Sequence, residues 1–381
     1  MEELALVGGP KVIKDDMPHF IWPIITKRTE QAVIAQLHES ISIYDRSGVI
    51  RNFEDRFREY HGLKHALLNN SGTSSIYAMY KGIEIGPNDE VICPVYTFFA
   101  TVTPLLFTGA TPVFCDCLDN GNIDPALIEK KINVRTKAIV VTHMWGNPCQ
   151  MDVIQKIAKK HHLYLLEDCS HAHGAKYNGK LVGTFGDAAV WSLQGQKILT
   201  GGEGGILATN NEDIYAIAQL VGHYNKRSLR EIPVSHRFYK FGVTGFGQKF
   251  RSHPLAVAIA NEQFDHLDEW IEQKSRYAVK ISEALKEYNF LKMPKYEGQM
   301  PSWYGFIIRY DSEKAGGLPL SCFVEALHAE GLHEVDIPKS TAPLNLYPIF
   351  REPAVLFPEF YDHQTDFIQN TSFKVAHDFY N

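Results

Sequence analysis

The chain has 381 residues, 45% of them hydrophobic, with 38 lysines and arginines against 44 aspartates and glutamates and a formal net charge of −6. That length can bury a large core and predicts two domains, while an acidic balance without a basic stripe argues against a nucleic-acid partner. No run approaches membrane-spanning length, and Met1 to Gly8 lacks both a basic n-region and a long apolar core, so neither a span nor a secretory leader is expected.

The first stretch with chemical content is Leu67-Leu68-Asn69-Asn70-Ser71-Gly72-Thr73-Ser74-Ser75, which reads as strand, tight turn and helix start. A helix N-terminus offers unpaired N–H donors and the positive end of its dipole, a ready site for a phosphate dianion. Plain capping by serine or threonine explains the same residues without a ligand. Next, an apolar run from Val91 to Pro94 leads into Tyr96, Phe98 and Phe99. One of those rings can lie flat on a planar cofactor, although core packing is the commoner fate of a single aromatic. Further short apolar runs start at Thr111, Ala138, Tyr164, Ala188 and Gly205, with helical stretches between them. Such alternation predicts an α/β fold with a mostly parallel sheet covered by helices.

Within that pattern, Leu163 to Leu166 reads as a buried strand running into Glu167 and Asp168. Ligands of open α/β sheets bind outside the carboxyl ends of the strands, which is where Asp168 falls. A carboxylate there can pair with a protonated ring nitrogen, the electronic requirement of pyridoxal phosphate; a helix N-cap is the equally good bland use. Lys197 follows in Trp191-Ser192-Leu193-Gln194-Gly195-Gln196-Lys197, just before the glycine-rich run Thr200 to Gly205. Tight backbone around a lysine suggests a buried amine that forms imines, because burial raises the neutral, nucleophilic fraction. Glycines beside it would bring bare backbone close to a ligand.

Downstream, Lys226, Arg227, Arg230, Arg237 and Lys240 gather in one region, either a basic patch for a phosphorylated substrate or a solvated face. From Pro254 to Tyr288 apolar residues recur at helical intervals and predict a bridge to a smaller C-terminal domain. Pro338, Pro343, Pro348, Pro353 and Pro358 lie among aromatics and predict irregular structure, a pocket-shaping segment or an ordered surface. Cys93, Cys115, Cys117, Cys149, Cys169 and Cys322 are scattered, with no zinc or disulfide spacing. A reducing cytoplasm is the expected compartment. Ser372 to Asn381 reads as a helix being entered, as if the chain were shortened or processed there.

Taken in order, these stretches resemble the DegT/DnrJ/StrS family of pyridoxal-phosphate-dependent sugar aminotransferases. The resemblance covers Gly8-Gly9-Pro10, Gly48 with Phe53-Glu54, Asn70 to Thr73, Thr97-Phe98, Glu167-Asp168, Gly183 with Gly186-Asp187, and Ser192 to Gly205, and thins after about Leu267. It implies a type I aminotransferase-like fold: an N-terminal segment and large cofactor-binding domain over 1–253, then a bridging helix and small α+β domain over 254–381. It also implies that Lys197 is the Schiff-base lysine that moves the proton, and that Asp168 keeps the pyridine nitrogen protonated. Gly72, Thr73 and Ser192 would bind the phosphate, and Phe98 would stack on the ring. His171 stands where many members have a glutamine that contacts the phenolic oxygen, and its charge would vary near neutral pH. Lys249 departs from the family's asparagine in a loop that reaches the partner's cofactor phosphate, so a homodimer with shared sites is implied.

The function expected from this resemblance is transfer of an amino group from glutamate or glutamine to a keto sugar, nucleotide-linked in the first reading and a ketocyclitol such as an inosose in the second. Members that dehydrate carry histidine at the lysine position, so Lys197 argues against dehydration. Two readings of other kinds stay open: a cofactor-binding sensor without turnover, and an amino-acid lyase, for which Cys149 after Gly146-Asn147-Pro148 is the nearest to a mobile catalytic cysteine. No metal is expected.

Overall fold

The computed structural model describes residues 3–17, 19–338, 340–368 and 371–380. Its centre is a seven-stranded sheet of β1 (His65–Asn69), β2 (Glu90–Pro94), β3 (Thr111–Cys115), β4 (Thr136–Thr142), β5 (Tyr164–Asp168), β6 (Ala188–Ser192) and β7 (Gly205–Thr209). The spatial order is β1-β7-β6-β5-β4-β2-β3, and β7 alone is antiparallel to both of its neighbours. Every residue of β2, β6 and β7 is buried, as expected of strands covered on both faces and made almost wholly of apolar side chains. The expected apolar runs all became strands, lengthened by a residue or two where polar ends such as Glu167 and Asp168 also pair.

Helices cover the sheet. After α1 (Lys27–Glu39), α2 (Gly48–His61) packs on one face, against Ala66, Leu68, Ile206 and Ala208, and α3 (Gly72–Gly82), entered directly from the turn after β1, packs on the other, against Leu67 and Leu207. α4 (Met151–Lys160) lies in the crossover from β4 to β5, and α5 (Glu212–Gly222) follows the last strand, β7. The long helical pattern after Pro254 resolves into α6 (Pro254–Gln263), a 3-10 turn over Phe264–His266, and α7 (Leu267–Leu285). Beyond it come the short antiparallel pair Leu291–Lys292 and Arg309–Tyr310 and the helix α8 (Leu320–Ala329).

The proline-rich tail returns to the main sheet. Ala342–Pro343 pairs antiparallel with Tyr96–Thr97, and Phe350, Phe357, Ile368, Phe373 and Ala376 share a core with Val91 and Phe114. A terminal helix, α9 (Lys374–Tyr380), is held by the Asp116 carboxylate, which accepts from the Val375 and Ala376 amides, and its Phe379 packs edge-on against Tyr96. Among the described residues no helix is long and apolar enough to cross a membrane.

Candidate active site

The carboxyl ends of β5 and β6 and the start of α3 converge. Asp168 ends β5 and is buried; one carboxylate oxygen accepts from Thr101 Oγ1 at 2.7 Å and the other from the Ser170 amide at 3.0 Å. Thr101 is in turn tied to Thr97 and Thr142, so three hydroxyls orient one carboxylate. Neighbouring Glu167 has a different use. Its oxygens accept from the Gly183, Phe185 and Gly186 amides and lie 3.2 Å from His143 Nε2, which fixes the loop leading into β6. His143, Glu167 and Cys169 are close enough to suggest metal ligands, but the carboxylate is spent on those amides and His143 Nδ1 on the Cys149 amide.

The phosphate-binding expectation falls on a tightly nested turn. Gly72 opens α3, its cap residue Ser71 accepting from the Ser74 amide at 3.0 Å. The first amides of a helix have no carbonyl partner within it, so Gly72 and Thr73 present free N–H groups there. A Cβ on Gly72 would sit 2.9 Å from Ser192 Cβ, and one on Gly205 would sit 2.3 Å from the Ser71 carbonyl oxygen. The glycines after Lys197 therefore let backbone meet backbone, which locks the helix start against the strand end that carries Ser192. Thr73 is exposed, and Phe98 and Phe99, 36% and 41% exposed, follow Thr97 with their ring centroids 4.2 Å apart. Tyr347, from the proline-rich tail, meets Phe99 edge-on.

Lys197 is held from both ends. Trp22 Nε1 donates to its carbonyl oxygen at 3.1 Å, and its Nζ lies 4.4 Å from the centre of the Tyr304 ring. Burial lowers the Lys197 pKa to about 8, against the opposing pull of Asp168, which supplies the neutral amine that an imine-forming lysine needs near neutral pH. Tyr304 also stacks on His171, centroids 4.0 Å apart and planes 11° from parallel. Here an expectation is corrected. His171 does not titrate near neutrality, because burial first, then the Lys197 and His173 charges, push its pKa well below the ordinary value. Its Nδ1 is buried without a partner among the described residues.

Two further expectations change. The basic region is not a free patch: Arg227 is buried in a two-pronged pair with Glu54 at 2.8 and 2.9 Å, Arg230 pairs with Asp45 and Arg237 with Glu84. The lyase reading loses its nucleophile, since Cys149 is buried, donates to the Thr142 carbonyl, and has its thiol pushed up by burial. The loop carrying Lys249 packs on its own chain's turn, Asn70 N donating to Phe250 O at 2.6 Å and Ser252 Oγ to Asn69 O at 2.5 Å, with Lys249 exposed. Trp22, Thr101, Tyr304 and Trp145, whose ring stacks on His171 with centroids 5.9 Å apart, were not anticipated. Only the Thr97–Thr101 spacing after a buried strand offered a signal.

A sheet reversed only at β7, with a low-pKa lysine under the influence of a buried aspartate beside a capped helix start, fits a pyridoxal-phosphate-dependent aminotransferase. Comparison names the group: residues 24–359 match the model of the DegT/DnrJ/EryC1/StrS aminotransferase family, and the chain belongs to it. The match runs well past Leu267, where the motif resemblance thins. GDP-perosamine synthase of Escherichia coli O157:H7 is 35% identical over 65% of this chain and 66% of its own length. L-glutamine:scyllo-inosose aminotransferase of Streptomyces griseus is 30% identical over 90% of this chain and 83% of its own. The X-ray structure of an aminotransferase from Psychrobacter cryohalolentis superposes with a TM-score of 0.81 at 27% identity, covering 95% of this chain and 91% of that one. Pyridoxal phosphate is the family's cofactor. The residues here fit it: a buried carboxylate for a ring nitrogen, an orphaned histidine nitrogen, and free helix amides for a phosphate.

Proposed function

We propose that the enzyme transfers an amino group from glutamate or glutamine to a keto sugar carried on a nucleotide. The observation that carries this reading is the pairing of Lys197, with its lowered pKa, and Asp168, held by Thr101 at the end of β5. In this reading Gly72 and Thr73 amides and the Ser192 hydroxyl hold the phosphate, with the exposed Lys249 adding a cation from a partner subunit, and Phe98 covers the ring. His171 Nδ1, neutral and unpartnered, meets the phenolic oxygen. When bound, the cofactor supplies an electron sink for the carbon whose C–H bond breaks. Asp168 keeps a ring nitrogen protonated, and Lys197 Nζ takes the substrate's proton and returns it on the other side of the exchange. Thr101 restricts Asp168 to one orientation, and the nested turn keeps the phosphate end fixed during both half-reactions.

A nucleotide-linked acceptor, rather than a free ketocyclitol, is supported by a cleft of about 150 Å³ lined by Trp145, by Lys292, Lys295 and Arg309, and by one carboxylate, Asp119. Lys292 pairs with Asp119, and Arg309 donates to the Asp378 carbonyl, which leaves Lys295 the cation with fewest commitments. Lys295→Ala is expected to raise KM for a nucleotide-linked keto sugar about tenfold, one phosphate contact's worth, and to leave kcat and the KM of an inosose unchanged. Equal KM changes for both acceptors would exclude this cleft as the carrier site.

The dimer belongs to the same proposal. Ile34, Leu37 and Ile41 on and after α1, with Val243 and Phe246 near the Lys249 loop, leave large apolar side chains half exposed, the surface a symmetric partner would cover. Sedimentation should give twice the 43.1 kDa chain mass, and a fully active monomer would contradict shared sites. A division after residue 253 belongs to this reading for the bridging helices and α8 only, since the tail from Ala342 shares the core of the main sheet, and a cytoplasmic location completes it.

A further inference from the structure

Lys274, on α7, is mostly buried, and no carboxylate pairs with it among the described residues; burial lowers its pKa to about 8, so it carries its charge below that pH. Its Nζ lies 4.7 Å from the Trp22 ring centre and 5.8 Å from that of Phe20, and donates to the Trp303 carbonyl at 3.4 Å. Those neighbours belong to the two segments that grip Lys197. Trp22 donates to the Lys197 carbonyl, and Tyr304, next after Trp303, lies under the Lys197 amine. The same helix holds both segments elsewhere: Trp270 meets Trp22 edge-on at 5.0 Å, and Ser275 Oγ accepts from Trp303 Nε1 at 2.6 Å.

We propose that Lys274 is a positioning residue whose ammonium clamps the Phe20–Trp22 segment to the Trp303–Tyr304 segment and so fixes the place and solvation of the Lys197 amine. A cation desolvated between aromatic faces is attracted to both rings, and its remaining donor reaches a carbonyl whose owner precedes Tyr304. A neutral side chain of the same length would fill the space but draw neither segment inward. Water would then reach Lys197, and its amine would become harder to deprotonate. The inference rests on Lys197 being the reactive amine, not on which acceptor is used.

The test reads Lys197 itself in the cofactor-free protein. Acetic anhydride labelling of Lys197, followed by peptide mass across pH 6 to 11, gives the pH at which the amine loses its proton. The unaltered protein should show a midpoint near 8. Lys274→Met should move it upward by about one unit, a tenfold fall in neutral amine at neutral pH, and make Trp22 fluorescence more quenchable by acrylamide. Lys274→Arg, which keeps the cation over the rings, should restore both. Should the methionine variant fail to fold by circular dichroism, Lys274→Gln, which keeps a donor for the Trp303 carbonyl but not the charge, should show the same upward shift. An unchanged Lys197 midpoint in a folded neutral variant, or an arginine variant as shifted as the methionine one, would overturn the proposal. Because activity is not the readout, this failure differs from a failure of the transaminase assignment, which Lys197→Ala addresses.

Discussion

Replacing Lys197 with alanine should lower transamination by about 10² to 10⁴-fold, the range found when a positioned proton-transfer group is removed, while the circular dichroism spectrum stays that of the parent. The fold should tolerate the change because the side chain makes no ion pair among the described residues; its contact is with the face of Tyr304. What is lost is an amine at a defined place, with a pKa lowered to about 8 by burial. Steady-state rates with a saturating donor measure the effect. A variant that kept a tenth or more of the parent rate would show that another group moves the proton.

Asp168→Asn carries the second large effect. Asparagine fills the same volume and can still accept from Thr101 or the Ser170 amide, so the site should keep its shape. The negative charge is gone, however, and with it the means of holding a proton on a ring nitrogen. A fall in kcat of about 10²-fold or more is expected, comparable to the removal of one preorganised electrostatic partner in a closed site. Single-turnover rates with the amino donor isolate the step concerned. An asparagine variant as fast as the parent would mean that Asp168 serves only to cap the turn after β5.

The parts of this site that adjoin in sequence could be read from it. Asp168 was legible because a buried parallel strand is a continuous apolar run, and whatever follows it lies at the ligand end of the sheet. Lys197 and Gly72 were legible through small-residue motifs that keep their spacing to a strand or a helix start. Trp22 and Tyr304 were not, because they reach Lys197 from segments 175 and 107 positions away and no local pattern marks that meeting, nor were the contacts of Lys274 with Trp22 and Trp303. The basic region failed for a related reason. Arg227, Arg230 and Arg237 find Glu54, Asp45 and Glu84, each more than 150 residues earlier, so a cluster of charge in sequence was already paired in space. His171 shows the limit of residue identity: an imidazole's ordinary pKa predicts a switch, and burial removes it.

The nested glycines carry the same lesson in the opposite direction. A glycine run beside a reactive lysine suggested close approach to a ligand, yet Gly205 is needed because the Ser71 carbonyl occupies the space of its Cβ. That contact serves the chemistry indirectly, by holding the free amides of Gly72 and Thr73 against Ser192.

The most direct test of the central claim is the absorption spectrum of the purified protein after addition of pyridoxal phosphate, recorded before and after glutamate or glutamine, with Lys197→Ala beside it. The account predicts a visible band in the parent that gives way to that of the amine form when the donor is added, and no such response in the alanine variant. A parent protein that forms no visible band would contradict the cofactor assignment. A band that no donor changes would leave a cofactor-binding regulator in place of a transaminase.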